Sequence, residues 1–297
     1  MTETDDPRSL NLSWSQLRAH EECKQKSFLL RSGHRSKAGD LRAYFHGMVV
    51  DRVMNAWLSD PDRVSGAMVG MVTAAIDETA NTAVAEGDGV VRWRHPHDRA
   101  ELTEFCVELA TRLEPLLSTH VLPYPFAAHI RFKTPVRVPY LDGEPVVVNL
   151  TGEMDLLVSQ PDGHVIWDLK CTRDDQYWRK VLGQLIFYDV ADFLATGVRT
   201  VKVGLLQPTC KQPVLEWMLT DELRRGMQAR IIAMARDIWA QEVACKADTH
   251  GCTYCVVRHA CARYAATGNR IPFSTPTTPR PSTLAEGLRA QAAGGSP

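Results

Sequence analysis

Two aspartates, a lysine and the turn between them are the first residues in this chain whose spacing could do chemistry. Gly152–Val158 reads GEMDLLV and Val165–Lys170 reads VIWDLK, with Pro161, Asp162 and Gly163 between them. Both runs mix β-branched and large apolar residues, and Pro-Asp-Gly is turn chemistry, so the pattern predicts a β-hairpin. With Asp162-Gly163 as its two-residue loop, Asp155 faces Lys170 and Leu157 faces Asp168. Strand side chains alternate, so Asp155, Asp168 and Lys170 share one face. Two carboxylates and an ammonium on a half-buried sheet are costly unless they bind something. Mg²⁺ takes a few carboxylate oxygens plus water and phosphate oxygens, which suits this patch, and Lys170 then orients or deprotonates a water or stabilises phosphate charge. The competing reading is an Asp–Lys pair on a solvated face, which is worth little.

The elements that must hold these residues follow from the apolar pattern. Gln176–Leu194 carries Val181, Leu182, Leu185, Ile186, Val190 and Phe193 at helical spacing, with Gln184 and Tyr188 four apart on one face. The order G-x-x-D, D-x-K, Q-x-x-x-Y, at Gly152/Asp155, Asp168/Lys170 and Gln184/Tyr188, resembles the RecB-like branch of the PD-(D/E)XK nuclease superfamily. That branch includes CRISPR-associated nucleases and phage exonucleases. The resemblance implies that Asp155 and Asp168 hold Mg²⁺ or Mn²⁺, that Lys170 is catalytic, and that Gln184 and Tyr188 contact DNA or support the site. Asp155 follows Met154 rather than Pro, and the second acid is Asp where Glu is commoner. The family also often carries G-x-x-x-H on an early helix. Here Asp51 stands four residues after Gly47, while His46 precedes the glycine, so the third metal ligand is Asp51 or His46.

The cysteines narrow the resemblance. Cys252, Cys255 and Cys261 form a C-x2-C-x5-C array, and Cys23 lies alone in WSQLRAHEECKQKSF. Three clustered thiols and a distant fourth complete a four-thiolate site if the chain ends meet. Zinc is the competing occupant, with His20, His250 or His259 available as partners. The array is similar to the iron-sulfur subgroup of the same family, which implies a structural 4Fe-4S cluster on Cys23, Cys252, Cys255 and Cys261 joining the two ends. Disulfides fit the spacing less well, and no signal peptide precedes these cysteines. Cys106, Cys171, Cys210 and Cys245 read as buried apolar residues, Cys171 being open to oxidation because it follows Lys170.

At 297 residues and 44% hydrophobic, with a net charge of −1, the chain can bury one large core. No apolar run approaches ~20 residues, so no membrane span and a cytoplasmic enzyme are expected. Near-zero charge argues against broad polyanion binding but leaves room for a local basic groove. Arg173, Arg179 and Lys180 beyond the hairpin, and Arg92 and Arg94 in the loop GDGVVRWRHPHD, are candidate DNA contacts, with Trp93 placed for base stacking.

The expected fold is α/β: a restriction-endonuclease-like αβββαβ core with a mixed sheet and helical additions. One helix is expected from Ser13 or Ser15 through Leu17, Cys23 and Phe28, another across GDLRAYFHGMVVDRVMNAWL, and two more over Met68–Ala85 and Arg99–Leu117. Strands are expected over Ala128–Tyr140, Val146–Gln160, at Val165 and over Thr200–Leu206, with a long helix from about Thr220 to Val243. Residues 1–12 and 268–297 read as disordered, with a short helix at Leu284–Ala292 as a partner-binding element. Between them lies a single nuclease domain, 13–267, with a core at about 41–244 and the cluster element drawn from 13–30 and 245–267.

The function expected is a metal-dependent DNA exonuclease acting on single strands or duplex ends in phage recombination, CRISPR adaptation or DNA repair, with a recombination or CRISPR protein partner or a homo-oligomer as its setting. The alternatives are a catalytically silent DNA-binding or assembly subunit and a zinc-stapled binding protein.

Overall fold

A long strand organises the chain. In the computed structural model, which describes residues 10–34, 42–85, 98–139, 145–240, 252, 255 and 257–261, strand β3 (Val146–Gln160) carries most of the sheet pairing. From Val146 to Val158, with one skipped pair, it pairs antiparallel with β2 (Phe126–Val138). Its other edge is shared. The first part pairs parallel with the short β1 (Leu10–Leu12), and the last part pairs antiparallel with β4 (Gly163–Leu169). Helix α6 (Trp178–Thr196) then crosses over to β5 (Thr200–Leu206), parallel to β4, and β6 (Val214–Met218) closes that edge antiparallel.

Helices α3 (Arg42–Ser59), α4 (Ala67–Ala85) and α5 (Asp98–His120) pack together and against the sheet. Phe45, Val49, Val53 and Trp57 of α3 meet Leu109 and Leu113 of α5 and Leu156, Val158 and Trp167 of the sheet in one buried cluster. The Glu114 carboxylate of α5 accepts the backbone N–H groups of Gly66 and Met68, satisfying donors that the start of α4 would otherwise leave orphaned. Helix α7 (Asp221–Trp239) begins at Thr220, whose hydroxyl accepts the Leu223 N–H, and its Arg224 reaches the buried Asp189 carboxylate of α6 at 2.8 Å.

The helices α3 to α5, the strands β2 to β5 and α6 and α7 follow the expected pattern within a few residues. Four expectations are corrected. The hairpin loop is Pro161-Asp162, not Asp162-Gly163: Gln160 pairs with Gly163 and Leu156 with Trp167. Gly163 opens β4 with φ 141°, and a Cβ there would lie 2.4 Å from the Arg199 carbonyl, so the glycine is needed in the strand rather than at the loop tip. Leu10–Leu12 is not disordered but forms β1, held by the buried Leu12 and an Asn149–Asn11 side-chain hydrogen bond of 3.1 Å. The expected single N-terminal helix is two, α1 (Trp14–Glu22) and α2 (Lys24–Arg31), because Cys23 takes an extended backbone between them. Strand β6 was not anticipated. Its five residues, Val214–Met218, alternate too weakly to stand out.

The chain divides into two compact units, residues 1–18 with 36–242, and residues 19–35 with 243–297. In the second, Cys23, Cys252, Cys255 and Cys261 lie half-buried, and backbone N–H groups of Cys255, Arg258 and Cys261 donate to the carbonyls of Cys252, Cys255 and Arg258. The expected disordered ends, the helix at Leu284–Ala292, the loop bearing Arg92, Trp93 and Arg94, Cys245, His250 and the His259 side chain lie outside the described residues. Among the described residues no helix is long and apolar enough to cross a membrane.

Gly204 of β5 lies across from the buried Trp167 of β4, and a Cβ at 204 would come within 2.1 Å of the indole. Replacing glycine with alanine inside a strand ordinarily gains about 0.5–1 kcal/mol. Here overpacking reverses the sign, so Gly204→Ala is expected to lower unfolding stability by about 1–3 kcal/mol in urea titrations.

Candidate active site

The β3–β4 pairing runs from Gln160–Gly163 to Leu156–Trp167. One step further Asp155 and Asp168 face each other, and there a side chain takes over from the backbone: the Leu169 N–H donates to Asp155 Oδ2 at 2.7 Å. The two-residue difference in register leaves each side chain on its expected face, because the period of a strand is two. Asp168 is 1% exposed. Its Oδ2 lies 2.5 Å from Lys170 Nζ, and its Oδ1 accepts from Gln184 Nε2 at 3.1 Å. The same amide nitrogen donates to the Tyr188 hydroxyl at 2.8 Å. Gln184 and Tyr188, one turn apart on α6, therefore brace the carboxylate from behind.

Gly152 has its own part. A Cβ there would lie 2.7 Å from the Phe132 ring and 3.1 Å from the Tyr188 ring, which meet edge to face at 5.6 Å. The glycine admits Tyr188 to the sheet and so lets the Gln184 brace reach Asp168.

Asp155 and Lys170 open onto a cleft of about 1080 Å³ whose walls also include Asp51 and His46 of α3, Phe105 and three glutamates (Glu101, Glu104, Glu108) of α5, and His129 and Glu153 of β2 and β3. His46 Nε2 makes a 2.8 Å bond with the Cys171 carbonyl and its ring packs edge-on to Phe105, so its nitrogen is engaged with the backbone. Asp51 stands instead beside His129, 3.6 Å from its Nε2. His129 and Glu153 carried no signal in the sequence. His129 sits where the β2–β3 pairing skips, between Ala128–Leu156 and Ile130–Met154, with φ 51°, and only tertiary pairing brings it to the cleft.

Among the DNA-contact candidates, Arg173 lines the cleft, stacked on Phe105 and 3.1 Å from Glu108. Arg179 and Lys180 are exposed at the start of α6, each over a neighbouring aromatic ring, Trp178 and Tyr177. Cys106 and Cys210 are buried, as expected. Cys171 is only half-buried and borders the cleft, but burial pushes its thiol well above the ordinary range, away from the thiolate that oxidation requires.

Burial raises the Asp51 and Asp155 carboxyls above the usual range and pushes Asp168 up to about 7. Burial alone would lower Lys170, but the charges of Asp168 and Asp155 outweigh it and hold the ammonium well above the usual lysine range. Burial also pushes the Tyr188 phenol up to about 12. For Glu153 burial works upward, and hydrogen bonds from Arg131 and His129 together bring it below the ordinary glutamate range. Three carboxylates beside one ammonium leave the cleft short of positive charge, and their hard oxygens are the donors Mg²⁺ and Mn²⁺ prefer. The donor chemistry thus fits such an ion, although among the described residues no three His, Cys, Asp or Glu side chains stand at ligating spacing.

Residues 11–262 match the family model described as the PD-(D/E)XK nuclease superfamily. No curated protein sequence matches the chain. Among solved structures, the protein SSO0001 overlays with a TM-score of 0.34 at 14% identity, over 73% of this chain and 95% of that one. A protein named "Putative exonuclease" from Eubacterium rectale overlays with a TM-score of 0.39 at 14% identity, over 89% and 94%. The family assignment rests on the family match alone.

Asp168 carries a pH dependence. Its folded pKa, about 7, lies above the ordinary 3.8, so folding favours its protonated form. The stability this gives is complete below about pH 4 and lost as pH rises through 7. In the presence of a chelator, denaturant titrations are expected to show unfolding stability falling across that window, and Asp168→Asn is expected to flatten the fall.

Proposed function

Because the chain belongs to the PD-(D/E)XK nuclease superfamily, we propose that it is a metal-dependent deoxyribonuclease, an exonuclease that hydrolyses phosphodiester bonds from DNA ends or along single strands. The observation that carries the reading is that Asp155 and Lys170 line one cleft, with the buried Asp168 on Lys170 and Gln184 bracing Asp168 from behind. Asp155, Asp168 and Asp51 would hold Mg²⁺ or Mn²⁺, which when bound supplies Lewis acidity and a more acidic water. Lys170, kept protonated by Asp168, acts as a fixed positive charge toward the scissile phosphate rather than as a base. Gln184 holds Asp168 in place, and Tyr188 holds Gln184. The exonuclease assignment rests on the motif order shared with the RecB-like branch, and so do the settings of phage recombination, CRISPR adaptation and repair.

A 4Fe-4S cluster on Cys23, Cys252, Cys255 and Cys261 is the second part of the proposal. All four residues fall in the unit formed by 19–35 and 243–297, and thiolates are the donors such a cluster takes. Anaerobically purified protein is expected to be coloured and to contain iron, with both lost in Cys255→Ser. Colourless protein containing zinc and no iron would turn this part to the zinc-stapled alternative.

The catalytic part is tested with end-labelled single- and double-stranded DNA in Mg²⁺ or Mn²⁺. Wild type is expected to degrade DNA, and Lys170→Ala to do so about 10²–10³-fold more slowly, the loss typical of removing one preorganised charge-stabilising group. Folded wild type that binds DNA without cutting it would leave the silent-subunit reading standing.

A further inference from the structure

We propose that His129 is a nitrogen ligand of the divalent cation in the cleft; this rests on reading the cleft as a metal site. Position 51, four residues after Gly47, holds a carboxylate, and His46 spends its Nε2 on the Cys171 carbonyl, so the only other imidazole nitrogen α3 could offer the cleft is His46 Nδ1. His129 approaches from the opposite element, β2.

Its ring is arranged as a metal ligand's is. Nδ1 lies 3.1 Å from Glu153 Oε1, and Glu153 is itself held by Arg131 Nε at 2.8 Å. A carboxylate only accepts, so Nδ1 carries the hydrogen, and in the neutral ring the lone pair is on Nε2. Nε2 is buried and, among the described residues, has no hydrogen-bond partner. It faces Asp51 Oδ1 at 3.6 Å, beyond hydrogen-bond reach, so a ring nitrogen and a carboxylate oxygen flank a gap in the cleft that Asp155 also lines. Histidines that ligate metals almost always give their other N–H to a carboxylate or carbonyl, which fixes the tautomer and aims the free nitrogen. The chain from Arg131 through Glu153 to His129 has that form.

The backbone points the same way. A histidine in a strand at φ 51° occupies the left-handed region that side chains rarely adopt. The skipped pairing falls where Asp155 would otherwise stand opposite it, and both residues line the cleft. Strain retained at a cleft is a common mark of a functional position.

The test is electron spin-echo spectroscopy of Mn²⁺ bound to the full-length protein carrying isotopically labelled histidine, alongside Mn²⁺ titrations. His129→Gly suits the backbone at φ 51° and so removes the ring without straining the fold, which a thermal melt checks. The wild type is expected to show coupling of Mn²⁺ to a histidine nitrogen. In His129→Gly the coupling should vanish and Mn²⁺ affinity fall at least about tenfold, the lower end of the loss seen even when only a supporting partner of a metal ligand is removed. His46→Ala should keep the coupling. Wild type without histidine coupling, coupling that survives in His129→Gly, or coupling lost in His46→Ala would each overturn the assignment. The readout is coordination, not turnover: a protein that showed the His129 coupling but cut no DNA would keep this ligand and end the nuclease reading.

Discussion

The arrangement depends on keeping one carboxylate, Asp168, away from water. A buried, half-neutralised acid is among the most expensive groups a core can hold, and removing one of its partners costs more than the pair contributes. Asp168 stands at the end of β4 with Lys170 on one oxygen and Gln184 on the other. Those two contacts tie three elements together: the strand, the coil that follows it and α6. The Gly152 notch extends the chain of support, because Tyr188 reaches Gln184 only where β3 carries no Cβ. Glycine, aromatic pair, amide and carboxylate form one continuous brace from β2 to the cleft.

Asp155 solves a different problem. Where the β3–β4 ladder stops, the Leu169 N–H would be left without a strand partner, and the Asp155 carboxylate accepts it. The same side chain then borders the cleft, so the residue that completes the sheet edge also offers it an oxygen. That double duty explains why opening the hairpin at this end does not leave an unpaired donor.

How far this was legible from sequence depended on the range of the interaction. The hairpin acids, Lys170 and the Gln184–Tyr188 pair share periodicities that local sequence carries, and a one-residue error in the loop, which moves the register by two, left them on the expected sheet face because the strand period is two. Helices α3 to α7 showed through their apolar stripes. Strands β1 and β6 did not, since three and five residues are too short for alternation to separate from coil. The break at Cys23 has no Pro or Gly to announce it. His129 was invisible for a deeper reason: nothing in FAAHIRF sets a left-handed residue, and only the skipped β2–β3 pairing creates one. Glu153 was quoted within the motif, but its bond to His129 depends on that same skip.

The charge around the cleft constrains how a phosphate can enter it. The α5 wall contributes Glu101, Glu104 and Glu108, and Asp51 and Glu153 add to the negative field. Arg173, exposed in the coil after β4 and set against that wall, is engaged by Glu108 and stacked on Phe105. A phosphate reaching Arg173 must therefore displace a carboxylate from it, while the cleft's acids favour cations over anions until they are neutralised. A divalent ion held there would reverse that preference locally, because its charge would be the largest in the site. On the proposed reading of the cleft as a metal site, this field would favour the cation entering before the polyanion.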